Sequence, residues 1–340
     1  MRMKRIYVVS LLVILMKSGG LFAQDPYFSQ YFTSPMTLNP ALIGKGNTGT
    51  RVLATHRSQW WGSAGAAYET STVSAEIPLA TKKNEKNQLA LGIMGLTDAS
   101  NGGLLKNNYF SAGFAYNVAL DREAKQTFGG GLMATYGSRL FDQSKFLYQS
   151  QFGSFGFIRS IAANDPIQLP QRNYFDVAAG IHYRAIGKKW DVNLGASAYH
   201  LAQPDISAYD QATFSMRMRF NLQASLAKKY KGGDELHFTS LYSSYGNTDL
   251  VTIGGIYKYK IQGDHAISRL NGGAMYRIGD SYIAYAAVEA QRWSVGFTYD
   301  FIRSDVRTYY NSVQSMEIAF SYFLGSKKKP FKVPAQHFYY

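Results

Sequence analysis

Six histidines, His56, His182, His200, His237, His265 and His337, are the side chains best suited to acid–base or metal chemistry near neutral pH. None sits in a motif that would put it to such use. The chain has no GxSxG elbow, no HExxH pair and no paired-histidine metal spacing. Asp176 and His182 share one face of a predicted strand but lie six residues apart. At ~3.3 Å per residue that is about 20 Å, which rules out a catalytic pair within that strand and leaves only a cross-strand pairing open. His182 is expected to face a polar interior and His200 the opposite, lipid-facing side. Gly129-Gly130-Gly131 falls inside a predicted strand and opens no helix, so it is no phosphate cradle. Curvature or close packing is the better use for glycine there. With no cysteine there is no disulfide, no thiolate metal site and no lipid anchor on sulfur. The sequence therefore predicts no catalytic residue, no cofactor, no metal and no enzyme.

The elements that carry these residues read as strands. Phe110, Ala112, Phe114, Tyr116, Val118 and Leu120 are apolar at every second position, and the same rhythm recurs from Phe175, Phe214, Trp293 and Met316. Each run is about ten residues long, the length of a tilted membrane strand rather than of a soluble one. Turn signals divide the chain into strands near 49–59, 67–78, 87–98, 107–120, 126–139, 173–186, 189–201, 212–230, 234–245, 248–261, 266–278, 281–290, 292–303 and 312–324. The even count of 14 suits an all-β, antiparallel, transmembrane outer-membrane barrel with both termini in the periplasm. The opposite strand faces carry Arg184, Arg217, Arg219, Lys258 and Lys260, expected to line a wet lumen. A large soluble β-sandwich or lipocalin-like barrel is the competing architecture.

Residues 1–23 are expected to be a signal peptide: Arg2, Lys4 and Arg5, an eleven-residue apolar run from Ile6 to Met16, then a small residue at Ala23. Eleven apolar residues are too few for a membrane span of about 20. Loss of Arg2, Lys4, Arg5 and Lys17 takes the formal charge from +14 to +10. The remaining cations are dispersed and form no basic helix, so nucleic acid is not the expected partner. Residues 24–48 hold Pro35, Asn39 and Pro40 and cannot form a strand; they are expected to plug the periplasmic mouth or lie on its rim. The barrel takes 49–325, and 326–340 form a tail with Lys327, Lys328, Lys329 and Lys332.

Partner-binding candidates are aromatic or sit at breaks. Phe28, Tyr31, Phe32 and Asn39 lie in the N-terminal segment, with packing and partner contact as alternatives. Trp60 and Trp61 close the first strand, either as an interfacial girdle against outer-membrane lipid or as an exposed anchor. Phe141, Phe146, Tyr148, Phe152, Phe155 and Phe157 fill the longest gap, 140–172, which packs on its own barrel or meets a partner. Long gaps such as 140–172 and 202–211 fall on one side of the barrel and short, Lys-rich turns on the other, which places the long ones outside.

Two stretches are more specific than alternation. FSQYFTSPMTLNPALIG at 28–44, followed by RVLATHRSQWWG at 51–62, resembles the PorP/SprF family. LALGIMGLTDASNGG at 89–103, YFDVAAGIHYRA at 174–185, FTYD at 297–300 and SMEIAFSYF at 315–323 agree with it in kind and in order. The lysine-rich tail departs from it. The resemblance implies an outer-membrane protein of type IX secretion in Bacteroidetes-like bacteria, which assists export or surface attachment of large proteins such as gliding adhesins. It also implies partners: type IX components, an exported cargo protein and a periplasmic peptidoglycan-associated protein. A passive, anion-favouring porin is the first alternative and an outer-membrane hydrolase the second.

Overall fold

The computed structural model describes residues 25–45, 49–61, 67–79, 87–154, 156–158, 160–162, 169, 171–207, 214–263, 265–304 and 313–325. The expected signal peptide, the basic tail and Phe155 lie outside them.

Fourteen antiparallel strands close into one barrel. They are β1 (Thr50–Trp61), β2 (Tyr68–Pro78), β3 (Gln88–Ser100), β4 (Leu105–Ala119), β5 (Gln126–Phe141), β6 (Arg172–Ile186) and β7 (Trp190–Tyr199). The circuit continues with β8 (Arg219–Lys229), β9 (Glu235–Tyr245), β10 (Thr248–Lys260), β11 (Ile267–Arg277), β12 (Ser281–Ala290), β13 (Trp293–Ile302) and β14 (Gln314–Leu324). Each strand pairs with its chain neighbour, and β1 closes on β14 from Thr50↔Leu324 to Trp61↔Gln314. Closure leaves no open edge, the condition for crossing hydrocarbon with strands. No helix among the described residues is long and apolar enough to cross a membrane.

Side chains alternate as the period of two requires. Phe110, Phe114, Phe175, Phe220, Phe238, Phe297 and Phe301 project outward, while Arg57, Glu76, Lys258, Arg277, Asp300 and Glu317 are buried inside. This inverts a soluble protein and is what a lipid-covered wall demands. Strand connections differ at the two ends. One mouth carries the long connections, 142–171 and 200–218 among them; at the other the connections include 187–189 and 291–292. We call these the loop mouth and the turn mouth. Within the longest connection, Phe152 and Gly153 pair with Phe157 and Gly156 in a two-residue hairpin.

The structure corrects two expectations of side-chain direction. His200 does not face lipid: it has a positive φ of 59°, just past the end of β7, and is buried. That left-handed residue breaks the alternation and turns the ring inward. The eighth strand begins at Arg219, not near 212. Ahead of it the chain folds across the loop mouth, with Ile206 N–H donating to Phe214 O (2.9 Å) and Met216 N–H to Pro204 O (2.9 Å). Met216 is consequently buried beside Tyr174 and Ile206 rather than facing lipid.

Candidate functional site: a plugged lumen and the mouth above it

The lumen is filled by residues 25–45. The prolines that deny this segment a strand start two of its short turns instead: Pro35–Leu38 forms one helical turn and Pro40–Leu42 a 3-10 turn, while a further 3-10 turn, Tyr31–Thr33, precedes them. Phe28, Tyr31, Phe32, Met36, Leu38, Leu42 and Ile43 are all buried. Tyr31, Phe32, Leu38 and Leu42 pack against Ile256, Met275, Ile283 and Tyr285 of the wall, and Phe32 meets Tyr285 edge-on at 5.6 Å.

The segment runs the length of the barrel rather than capping one end. Asp25 lies at the loop mouth, in a cavity with Trp60, Ser100, Arg139 and Tyr245. At the turn mouth, Gly44 N–H donates to Glu76 Oε2 (2.8 Å), and Lys45 Nζ reaches His182 Nδ1 (2.6 Å) and Thr127 Oγ1 (3.2 Å).

Three clamps tie the plug to the wall. At the loop mouth, Asp25 meets Arg219 (2.6 Å) and His200 Nε2 (3.0 Å), while His200 Nδ1 meets Asp176 (2.7 Å). Burial opposes ionisation of Asp25, but Arg219 and His200 override it and hold the carboxyl at about 2. Burial likewise opposes charge on His200, and the two carboxylates raise it to about 9. Deeper, the Glu317 carboxylate accepts from the backbone N–H of Ser29 (2.7 Å) and of Gln30 (2.9 Å) and pairs with Arg57 (3.4 Å). Ser29 Oγ donates to Asp300 (2.7 Å) and accepts from Arg277 (2.7 Å) and Arg57. At the centre, Asn39 Oδ1 accepts from Ala41 N–H (2.9 Å), and Nδ2 donates to Ile181 O (2.9 Å) and Ala196 O (3.2 Å).

The glycines of the wall make room for this segment. A Cβ on Gly131 would stand 2.4 Å from the Pro40 carbonyl, and one on Gly180 would stand 2.0 Å from Asn39 Oδ1. Close approach of backbone to wall is the use these glycines serve.

The predicted site residues thus separate into groups. Phe28, Tyr31, Phe32 and Asn39 are spent inside the lumen, so their surfaces are closed to an outside partner. Trp60, at φ 59° in a bulge of β1, lines the loop-mouth cavity and meets Tyr68 edge-on at 4.9 Å, whereas Trp61 is 56 % exposed. Phe152 is 71 % exposed on the longest loop; Phe146 and Tyr148 pack edge-on at 6.1 Å, and Arg139 lies over Phe141.

Of the expected lumen cations, Arg219 pairs with Asp25, Lys258 is buried beside Glu289 (3.3 Å), and Arg184 is partly buried on β6. Arg217 instead lies exposed before β8, donating to Asn247 (3.1 Å), because the register breaks ahead of Arg219. Lys260 keeps the inward register but sits exposed at the turn mouth. Sequence reasoning missed the wall residues that grip the plug: Arg57, Glu76, Arg277, Asp300 and Glu317. Charge at an inward position of a membrane strand was the available signal. Among the described residues no group of His, Asp or Glu is arranged to hold a metal ion.

Solved structures similar to the chain include a FadL homologue of Pseudomonas aeruginosa (10% identity, TM-score 0.48, 90% of this chain and 96% of that one). The CymD monoaromatic hydrocarbon channel (10%, 0.49, 86% and 93%) and the P. putida toluene transporter TodX (10%, 0.43, 88% and 95%) are also similar. No curated protein matches the sequence. A family model described as "Type IX secretion system membrane protein PorP/SprF" matches residues 21–322. The chain is an outer-membrane β-barrel and belongs to the PorP/SprF family of type IX secretion membrane proteins.

Proposed function

We propose that this barrel works by binding, assisting export or surface attachment of a secreted protein such as a gliding adhesin, and that it does not work by passing solutes. The observation that carries this reading is the plug, whose buried side chains and charge pairs occupy the lumen over its length. A porin would keep lumen cations available to anions; here Arg219 and Lys258 face Asp25 and Glu289. With the loop mouth outside, connections 140–172 and 202–211 contact cargo, and Phe152 and Trp61 are exposed apolar anchors of the kind that dominate interfaces. The short turns, and behind them a peptidoglycan-associated protein, belong on the periplasmic side, reached after cleavage of a signal peptide at Ala23.

The test replaces residues 143–170 with a short Gly-Ser turn in cells carrying the native cargo. Loss of cargo from the surface with the barrel still in the outer membrane supports the reading. Undiminished cargo at the surface refutes the role of that loop.

A further inference from the structure

Above the plug, the loop mouth encloses a cavity of about 280 Å³. Asp25, Pro26 and Tyr27 contribute to its lining, so the plug itself closes the lumen beside it and the cavity ends blind. A blind recess at a mouth is built to hold a ligand rather than to conduct one. Aromatic rings form much of its wall: Trp60, Tyr68, Tyr109 and Tyr245. Between them stand planar and hydroxyl groups, Gln59, Asn107, Thr70 and Ser100.

Its charges largely cancel. Asp25 is matched by Arg219 and His200, and Asp98 shares the cavity with Arg139. Asp98 is also held by the Thr70 hydroxyl (2.6 Å), and Gln59 donates to the Tyr27 hydroxyl (3.2 Å). Arg139 Nε is buried with no hydrogen-bond partner among the described residues. With Asp25 neutralised by Arg219 and His200, the cavity keeps one charged group of each sign, Asp98 and Arg139, and no excess of either. A neutral ligand with an apolar ring face and many hydroxyls would meet both the aromatic walls and the donors and acceptors between them.

From this we propose that the loop-mouth cavity is a carbohydrate-binding site, sized for one or two neutral sugar rings, with Trp60 as its stacking platform and Asn107 and Asp98 as its hydroxyl-reading groups. The site does not depend on the secretion role argued above; a sugar could be carried by a cargo or stand free at the cell surface.

The experiment is ligand-observed saturation-transfer NMR on the full chain in detergent, against glucose, galactose, N-acetylglucosamine and their β1,4-linked disaccharides. Tetramethylammonium and acetate serve as charged comparators. The expected result is saturation of at least one neutral sugar and of neither ion, with affinity falling at least about tenfold in Trp60→Ala, as truncation of a central aromatic anchor does. Asn107→Ala removes a single amide, guards against misfolding of the tryptophan variant, and is expected to weaken binding severalfold. Absence of transfer to every sugar, preference for either ion, or equal transfer in wild type and a folded Asn107→Ala would overturn the proposal.

Discussion

Glu317 is the residue whose removal should open the barrel. Its carboxylate accepts two backbone N–H groups of the plug, from Ser29 and Gln30, and pairs with Arg57, all in a region closed to water. In Glu317→Ala those two N–H groups lose their acceptors, and Arg57 and Arg277 are left to share Asp300. Breaking a buried pair by removing one partner costs about 3–5 kcal/mol. At about 1.4 kcal/mol per tenfold, the population with a displaced plug should rise roughly 10²- to 4 × 10³-fold. The barrel wall need not suffer equally, since the β13–β14 and β14–β1 ladders are made by backbone groups. The assay is single-channel recording in a planar bilayer, with barrel folding checked by heat-modifiable gel mobility. Wild type should be closed, and Glu317→Ala should show repeated openings. Glu123→Ala, in an exposed turn, is the control expected to stay closed. A folded Glu317→Ala barrel as silent as wild type would refute the assignment of Glu317 as a clamp.

Other predictions address the same contacts from different sides. Gly131→Val should displace the plug at a cost of about 1–3 kcal/mol through overpacking against Pro40, whereas Gly130→Ala, with only Gly180 O near at 3.8 Å, should be silent in thermal unfolding. Acid and alkali should loosen the loop-mouth clamp separately. Asp25 is lowered from 3.8 to about 2, so its contribution is present above 3.8 and lost as pH falls through 2. His200 is raised from 6.5 to about 9, so its contribution is complete below 6.5 and lost as pH rises through 9. Lys45, at the other end, is pushed down from 10.5 to about 7 by burial, with Arg184 adding to it; its penalty is full below 7 and relieved between 7 and 10.5. Limited proteolysis mapped by mass spectrometry should therefore show the Asp25 end loosening and the Lys45 end holding between pH 7 and 10; uniform loosening would contradict these assignments.

The barrel was legible because a period of two is imposed on every membrane strand, and lipid outside with a polar lumen makes the alternation sharp in stretches such as Phe110–Leu120. Prolines 35 and 40 likewise marked residues 24–48 as something other than a strand. What escaped was set by tertiary geometry. A single positive φ at His200 reverses its side, and the pairing of 204–206 with 214–216 breaks the apparent continuity from Phe214 through Phe220, moving Met216 inward and Arg217 out of the lumen. The direction of the plug was equally hidden: nothing local to Asp25 says that its partner His200 lies 175 residues away at the far mouth. The Gly129-Gly130-Gly131 run lies inside β5, as its sequence position suggested, but only the packed plug distinguishes Gly131, under Pro40, from Gly130 on the other face.

The central claim is that this PorP/SprF barrel acts by holding partners. The most direct measurement is a pull-down of the tagged protein from detergent-solubilised outer membrane, with mass spectrometry of what accompanies it. Binding predicts recovery of type IX components or of a large exported protein, reduced when residues 143–170 are replaced. A barrel that purifies alone from its native membrane, and conducts with its plug intact, would contradict the account.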